Sequence, residues 1–167
     1  MKKNCLGVDL GGVIAERALV HTLLNPRNGG FLDVPPVRHA FETITRLCIH
    51  FQGRLHVVSL CHPRHEEWSR RWLERWNFYE RTGILSENVH FCWDQQRKSK
   101  APICHQLGIT HFIDDRLEIL ASLREIVSNR YLFRARDKEI AKHREHLSGV
   151  IRVETWGEML RVMGAAQ

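Results

Sequence analysis

The chain has 167 residues, of which 43% are hydrophobic and 26% charged, a length and composition typical of a single globular domain with a sizeable core. No apolar stretch approaches the roughly 20 residues that a membrane span needs, the short apolar run near the N-terminus contains Asp9 and does not resemble a secretion signal, and five cysteines without a CxxC pair argue against a disulfide framework or a zinc knuckle. We therefore expect a cytoplasmic protein, and its net charge of +6 favours anionic partners such as phosphorylated metabolites or nucleic acid.

Short β-type runs alternate with helical patterns along the whole chain. The predicted strands are Leu6–Val8, Leu55–Leu60, Val89–Trp93, Thr110–Ile113, Asn129–Phe133 and Gly149–Val153. Apolar residues at the spacing of one helix face predict helices at Val37–Ile49, Glu66–Tyr79, Ala101–Leu107, Leu117–Val127 and Trp156–Met163. This alternation predicts an α/β protein with a mainly parallel sheet. We predict one domain over residues 1–167, with a short insertion at about 15–36.

Polar residues follow several of the predicted strands. Asp9 follows the first strand, Ser59 lies at the end of the second, and Asp114–Asp115 follow the fourth, while Lys98 and Lys100 precede the helix that leads into the fourth. Ligands of parallel α/β sheets bind beyond the carboxyl ends of the strands. These residues are therefore the candidates for a functional site.

Each candidate also has a purely structural interpretation. Asp9 could form a local turn with the glycines after it, Asp114–Asp115 could cap the helix at Leu117–Val127, and Ser59 alone would carry no meaning. A charge run such as RKSK most often faces solvent. A functional interpretation depends on the four features occurring together and in this order.

Together the segments LGVDLGGVI, VVSL, RKSKAPICHQLGI and HFIDDR resemble the four motifs of the haloacid dehalogenase-like superfamily of phosphoryl-transfer enzymes. The order and the spacing match over roughly residues 5–160. The resemblance implies a Rossmann-like core in a three-layer sandwich with a minimal cap. The branch that it resembles most is the capless one of nucleotidases and polynucleotide phosphatases.

The resemblance implies a role for each of these residues. Asp9 would attack phosphorus and form an aspartyl-phosphate, which divides one difficult displacement into two easier ones. Ser59 would donate a hydrogen bond to a phosphate oxygen. Lys100, whose distance from the acidic doublet matches the family better than that of Lys98, would neutralise charge on the phosphoryl group and the nucleophile.

The same resemblance implies a Mg²⁺ site. Asp9, the carbonyl of Gly11 and Asp114 would be its ligands, and Asp115 would either bind the ion or support the ligands. Carboxylate and carbonyl oxygens are the ligands that Mg²⁺ prefers.

One position departs from the family pattern. Its hydrolases usually carry a second aspartate as general acid and base where this chain has Gly11, and such catalysis contributes about 10²- to 10⁴-fold. Glu16, His62 and His65 are candidates to replace it, although each could be a surface or capping residue. Otherwise the protein would act on substrates with good leaving groups, or would be a non-catalytic regulatory protein that binds phosphate or metal.

The nearly capless organisation predicts an open site. We expect a phosphorylated partner, either a small molecule or a nucleic-acid end, with no membrane association, and a homo-oligomer could close the site. The predicted helix Glu66–Tyr79 mixes tryptophans with arginines, a composition seen in single-strand nucleic-acid binding. We favour the alternative that Trp68, Trp72 and Trp76 form one face that packs on the sheet.

Overall fold

A single sheet of six strands forms the centre of the protein. The computed structural model describes residues 3–17, 30–93 and 99–165. The strands are β1 (Leu6–Val8), β2 (Leu55–Leu60), β3 (Val89–Cys92), β4 (His111–Asp114), β5 (Asn129–Phe133) and β6 (Val150–Val153). Their order is β3-β2-β1-β4-β5-β6, and every pairing is parallel. The prediction of an α/β protein with a mainly parallel sheet is confirmed.

Helices connect the strands. They are α1 (Ala40–His50), α2 (Pro63–Arg75), α3 (Phe78–Thr82), α4 (Ala101–Gln106), α5 (Leu117–Ser122), α6 (Asp137–Lys142) and α7 (Trp156–Val162), and 3₁₀ turns cover Ser86–Asn88 and Arg144–His146. No helix in the described ranges is long and apolar enough to cross a membrane. All five cysteines are free thiols.

The predicted helix over residues 66–79 is wrong at both ends. Helix α2 begins earlier, at Pro63, because the side chain of His62 caps it by accepting a hydrogen bond from the amide of Arg64. It ends at Arg75, because Asn77 adopts a left-handed backbone with φ of 51°. The helix predicted over 117–127 likewise ends early, at Ser122.

Two hydrophobic clusters give the protein three layers. Helices α1, α2, α3 and α7 cover one face of the sheet, and α4 and α5 cover the other. Neighbouring strand residues alternate between the two faces: Val57 and Ile113 belong to the first cluster, whereas Val58 and Phe112 belong to the second. Gly7 leaves room for Phe112, whose ring lies 2.4 Å from where a Cβ of residue 7 would be.

The strand order creates a switch point between β1 and β4. The chain passes from β1 outward to β2 and β3, and then returns to the other side of β1 through β4, β5 and β6. Connections therefore leave the carboxyl ends of β1 and β4 in opposite directions and open a crevice between them. Val8 and Ile113 are partners in the register, so residues 9 and 114 follow at the same level.

Part of the predicted insertion at 15–36 lies outside the described residues, as does Lys98. The two described ends of this segment pair with each other, because the amide of Glu16 donates to the carbonyl of Pro35 over 2.9 Å. The prediction of one domain remains a prediction.

Candidate active site

The loop after β1 carries the first candidate residue. The amide of Asp9 donates to the carbonyl of Ile113 over 2.9 Å, which extends the β1–β4 ladder to the aspartate. The chain then turns back, and the amide of Ala15 donates to the carbonyl of Leu10 over 2.9 Å. The ladder and this turn hold the buried Asp9 carboxyl at the switch point.

The glycines at positions 11 and 12 serve different purposes. Gly12 has φ of 81°, and a Cβ there would lie 2.3 Å from Oδ2 of Asp115, so both its backbone and its surroundings require glycine. Gly11 is exposed, and a Cβ there would meet no atom within 4 Å. The position at which the family usually carries its second aspartate is therefore open space.

Asp114 lies directly across from Asp9. It is the last residue of β4 and is fully buried, whereas the sequence analysis ended this strand at Ile113. Its Oδ1 accepts a hydrogen bond of 2.9 Å from the amide of Arg116, the residue that precedes α5. The carboxylate therefore has a fixed orientation.

Lys100 joins the two aspartates. Its Nζ donates to Oδ1 of Asp9 over 2.6 Å and to Oδ2 of Asp114 over 2.7 Å, and its side chain is 2% exposed. The Nζ also lies 5.0 Å from the ring centre of Phe112. Burying such charges costs several kcal/mol per ion, so this arrangement is poor evidence of a role in stability and good evidence of a role in chemistry.

Burial and neighbouring charges shift the pKa values of Asp9 and Lys100. Burial raises the pKa of Asp9 to about 7, with Lys100 acting to lower it and Asp114 and Asp115 acting to raise it. Burial alone would lower the pKa of Lys100, but the carboxylates of Asp114 and Asp9 outweigh burial and hold this pKa above its usual range. Lys100 is therefore a permanent cation beside two crowded carboxyls.

Asp115 belongs to the same cluster but has its own partner. Its Oδ2 accepts a hydrogen bond of 2.8 Å from Nε of Arg17, and the guanidinium also donates to the carbonyl of Arg134. Burial raises the pKa of Asp115, Asp114 raises it further, and Arg17 acts to lower it. Arg17 therefore anchors the second member of the acidic doublet.

The donor set fits a divalent cation. Oxygens of Asp9, Asp114 and Asp115 lie within 4.8 Å of one another. Three carboxylates face two cations, Lys100 and Arg17, so full ionisation leaves one negative charge in excess. A hard ion such as Mg²⁺ would bind carboxylate oxygens and keep several waters, which accords with a cluster at the floor of an open cavity.

A cavity of about 570 Å³ opens above these side chains. Ser59, at the end of β2, lines it and is 8% exposed. Its hydroxyl makes no hydrogen bond to the described residues, so it is available to a ligand. Gly11 lines the same cavity. The structure thus brings together Asp9, Gly11, Ser59, Lys100, Asp114 and Asp115, while their roles stay predictions.

The three candidates for a replacement acid all line the cavity, but they differ in their partners. The carboxylate of Glu16 accepts a hydrogen bond of 2.8 Å from Arg134. Nδ1 of His62 accepts a hydrogen bond of 3.2 Å from the amide of Arg64, which caps α2. The ring of His65 makes no hydrogen bond to the described residues. Among the described residues, His65 is therefore the candidate whose two ring nitrogens are both without a partner.

Two tryptophans lie in α2 and a third, Trp76, directly follows it, and the three have different surroundings. Nε1 of Trp72 donates to the carbonyl of Val34 over 2.8 Å, and Nε1 of Trp76 donates to that of Leu32 over 3.1 Å. The expectation that all three tryptophans form one face that packs on the sheet therefore holds only in part: Trp72 lies in the core cluster on that face and Trp76 packs against it, and both also contact the segment before α1. Trp68 is only partly buried and lines the cavity, with the guanidinium of Arg71 lying 5.1 Å from its ring centre.

Three arginines that line the cavity were not predicted from the sequence: Arg17, Arg116 and Arg136. Arg17 lies 98 residues from its partner Asp115, and no local pattern signals such a pair. The position of Arg116 directly after the acidic doublet was a usable signal, because residues that follow a strand end face the crevice. Arg136 precedes α6, a helix that was not predicted.

Comparisons with known proteins reveal likeness in structure rather than in sequence. No protein-family model matches the chain, and there is no significant match among the curated proteins. The chain is similar to the crystal structure of D,D-heptose 1,7-bisphosphate phosphatase from Burkholderia thailandensis, with a TM-score of 0.64, 12% identity and coverage of 96% of this chain and 98% of that one.

A second solved structure, a Burkholderia xenovorans LB400 protein named as a haloacid dehalogenase-like hydrolase, matches with a TM-score of 0.65 and 13% identity over 98% of each chain. At these identities the similarity shows the fold alone, and it does not single out a capless branch. The chain has the fold of haloacid dehalogenase-like hydrolases, as its four motifs predict.

Proposed function

We propose that the protein is a Mg²⁺-dependent phosphatase that acts through an aspartyl-phosphate on Asp9. The observation that carries this proposal is the contact of Lys100 with both Asp9 and Asp114 at the switch point, over 2.6 and 2.7 Å. A D,D-heptose 1,7-bisphosphate phosphatase with the same fold supports a hydrolase of organic phosphates.

In the first step, a carboxylate oxygen of Asp9 forms a bond to phosphorus while the bond from phosphorus to the leaving oxygen breaks. Lys100 favours the ionised form of Asp9 and orients it, and Ser59 donates a hydrogen bond to a phosphoryl oxygen. In the second step, water attacks phosphorus, the bond to Asp9 breaks and the carboxylate is restored. Positioning and charge stabilisation provide most of the catalysis in such transfers.

Mg²⁺ would be held by the carboxylates of Asp9 and Asp114 and the carbonyl of Gly11, with Asp115 as a ligand or a support. When bound, it supplies positive charge that offsets the repulsion between phosphate and carboxylate. Arg17 then keeps Asp115 in place through its 2.8 Å ion pair.

His65 takes the place of the missing second aspartate in this proposal. It lies in the first turn of α2 and lines the cavity that contains Asp9 and Ser59. Its imidazole would protonate the leaving oxygen and then accept a proton from the attacking water. The carboxylate of Glu16 is engaged by Arg134, and Nδ1 of His62 is engaged by the amide of Arg64.

The substrate in this proposal is an organic phosphate with an aromatic part, such as a nucleotide or a nucleic-acid end. The cavity of about 570 Å³ lies within the range of small-molecule sites. Trp68 offers a partly exposed ring on one wall, and Arg116 and Arg136 lie on the cavity lining as well. If nucleic-acid ends are the substrate, binding should weaken as salt rises.

The test is the release of phosphate from a panel of monophosphates and anhydrides, with Mg²⁺ and with chelator. We expect turnover that chelator stops and that Asp9→Asn lowers by about a thousandfold or more, as losses of covalent nucleophiles do. Asp33→Asn is the matched control, because it removes an exposed carboxylate whose ion-pair partner is Arg75. Turnover that survives Asp9→Asn would refute the proposal.

A non-catalytic regulatory protein is the second candidate function, and Gly11 is the observation that favours it. In that case Mg²⁺ and phosphate would raise the melting temperature while no compound of the panel is turned over. A substrate whose turnover disappears in Asp9→Asn but persists in Asp33→Asn would decide for the enzyme.

A further inference from the structure

A second cluster of metal-binding side chains lies outside the cavity, where the 3₁₀ turn at Arg144–His146 packs on α5. Donor atoms of His143, Glu145 and His146 all lie within 4.8 Å of one another. Within the described part of the chain, the acidic cluster of the cavity is the only other group of donors this close.

The backbone of the turn brings the two imidazoles together. In 3₁₀ geometry, residues three apart eclipse each other. The rings of His143 and His146 accordingly stack, with centres 6.2 Å apart and planes at 18°. Glu145 then reaches the same side, with Oε1 3.4 Å from Nε2 of His146.

Helix α5 brings a further carboxylate next to one member of the cluster, His143. Oε2 of Glu118 lies 3.5 Å from Nε2 of His143, while the other oxygen of this carboxylate contacts Arg116. In a tetrahedral zinc site with ligands at about 2.0–2.2 Å, neighbouring donor atoms are separated by roughly 3.4 Å. The separations of 3.4 Å between His146 and Glu145 and of 3.5 Å between His143 and Glu118 are each of the length that two ligands of one such ion have.

His143 also presents an unsatisfied group. Its Nε2 is buried and makes no hydrogen bond in the described ranges, although the whole side chain is 15% exposed. The Glu118 oxygen is too distant for a good hydrogen bond. A buried polar atom without a partner costs free energy, and a metal ion would satisfy it.

We infer that His143, Glu145 and His146, with Glu118 as a fourth ligand, form a binding site for a borderline divalent ion such as Zn²⁺. Two imidazoles and two carboxylates suit Zn²⁺ better than Mg²⁺, which prefers oxygen ligands alone. The bound ion would tie the 3₁₀ turn to the first turn of α5. This site is separate from the proposed reaction and does not depend on it.

The experiment titrates Zn²⁺ into the full chain, stripped with chelator and kept in excess Mg²⁺ so that the acidic cluster of the cavity is occupied. Binding is followed by NMR of the histidine side chains and by equilibrium dialysis. We expect the signals of His143 and His146 to move first. His146→Gln, a change at an exposed residue, should lower the affinity for Zn²⁺ at least about tenfold, since even outer-shell partners are worth that much.

His105→Gln is the matched control, because His105 is an exposed histidine of α4, and it should bind Zn²⁺ like the original chain. Glu118→Gln should weaken binding without changing the fold, which circular dichroism checks. Absence of Zn²⁺ binding, first movement of other histidine signals, or equal affinities of His146→Gln and His105→Gln would overturn the inference. Phosphate release in Mg²⁺ should be the same in His146→Gln as in the original chain.

Discussion

The floor and the rim of the cavity are built in opposite ways. The floor consists of Asp9, Lys100 and Asp114, which are nearly or fully buried and held by short hydrogen bonds. The rim contains His65, which is exposed, and Trp68, which is partly buried. The side chains of the buried charge network are held in one orientation, which suits a single reaction. The side chains of the solvent-facing rim can contact substrates of different shapes. Changes to the floor should therefore abolish turnover, and changes to the rim should redistribute it among substrates.

The largest effect on the floor is expected from Lys100→Met. Loss of the cation leaves two buried carboxyls side by side, and breaking a buried ion pair costs about 3–5 kcal/mol. We expect a matching loss in the free energy of unfolding, measured with denaturant, together with loss of turnover. Lys138→Met changes an exposed lysine of α6 and should leave both unchanged. A fully stable and active Lys100→Met protein would show that Asp9 and Asp114 do not depend on Lys100.

His65→Gln should act on the rim in a manner that depends on the leaving group. Protonation matters most for poor leaving groups, so alkyl phosphates should lose about 10²- to 10⁴-fold in kcat. Aryl phosphates with good leaving groups should change little. The measurement is kcat over a series of esters of increasing alcohol pKa.

A second variant, Gly11→Asp, tests the same role of His65 from the opposite direction. A carboxylate at position 11 enters open space, so in the His65→Gln background it should restore turnover of alkyl phosphates. A uniform loss over the ester series, or no restoration, would remove His65 from the acid role and leave the floor untouched.

Glycine is required at position 12, whereas a side chain is permitted at position 11. Gly12→Ala places a Cβ 2.3 Å from Oδ2 of Asp115 at φ of 81°, and strain at such positions costs about 1–3 kcal/mol. We expect a lower melting temperature and weaker Mg²⁺ binding, because the Arg17–Asp115 pair must move. Gly11→Ala should be tolerated, and equal melting temperatures of the two variants would contradict this account of the loop.

Trp68→Ala should give the smallest effect and the most selective one. Stacking of a base on an aromatic ring is worth about 1–3 kcal/mol, so KM for nucleotides should rise while KM for small alkyl phosphates stays the same. The alkyl phosphates are the internal control. An equal rise for both classes would point to a structural role of Trp68 in α2.

Strand periodicity predicted much of the floor. Because carboxyl ends of parallel strands meet at one edge, Asp9 and Asp114 could be placed together from the apolar runs before them. Strand β4 nevertheless extends one residue further, to Asp114, because this residue still pairs with Leu132 of β5. That pairing is a tertiary contact, which no local pattern contains.

The rim and the histidine cluster could not be predicted in the same way. The break between α2 and α3 depends on the left-handed backbone of Asn77, and no glycine in the sequence signals it. The polar segment that forms α6 and the following turn shows no apolar periodicity. The pairs Arg17–Asp115 and Arg134–Glu16 join residues 98 and 118 apart. Such contacts follow from the completed fold rather than from neighbouring residues.

The central claim is that Asp9 carries the phosphoryl group during turnover. The most direct measurement is acid quenching during turnover of the best substrate of the panel in Mg²⁺, followed by peptide mapping with mass spectrometry. We expect a phosphoryl group on the peptide that contains Asp9, labile to hydroxylamine as acyl phosphates are and absent from Asp9→Asn. Steady turnover without that modified peptide, or with the label on another residue, would contradict it.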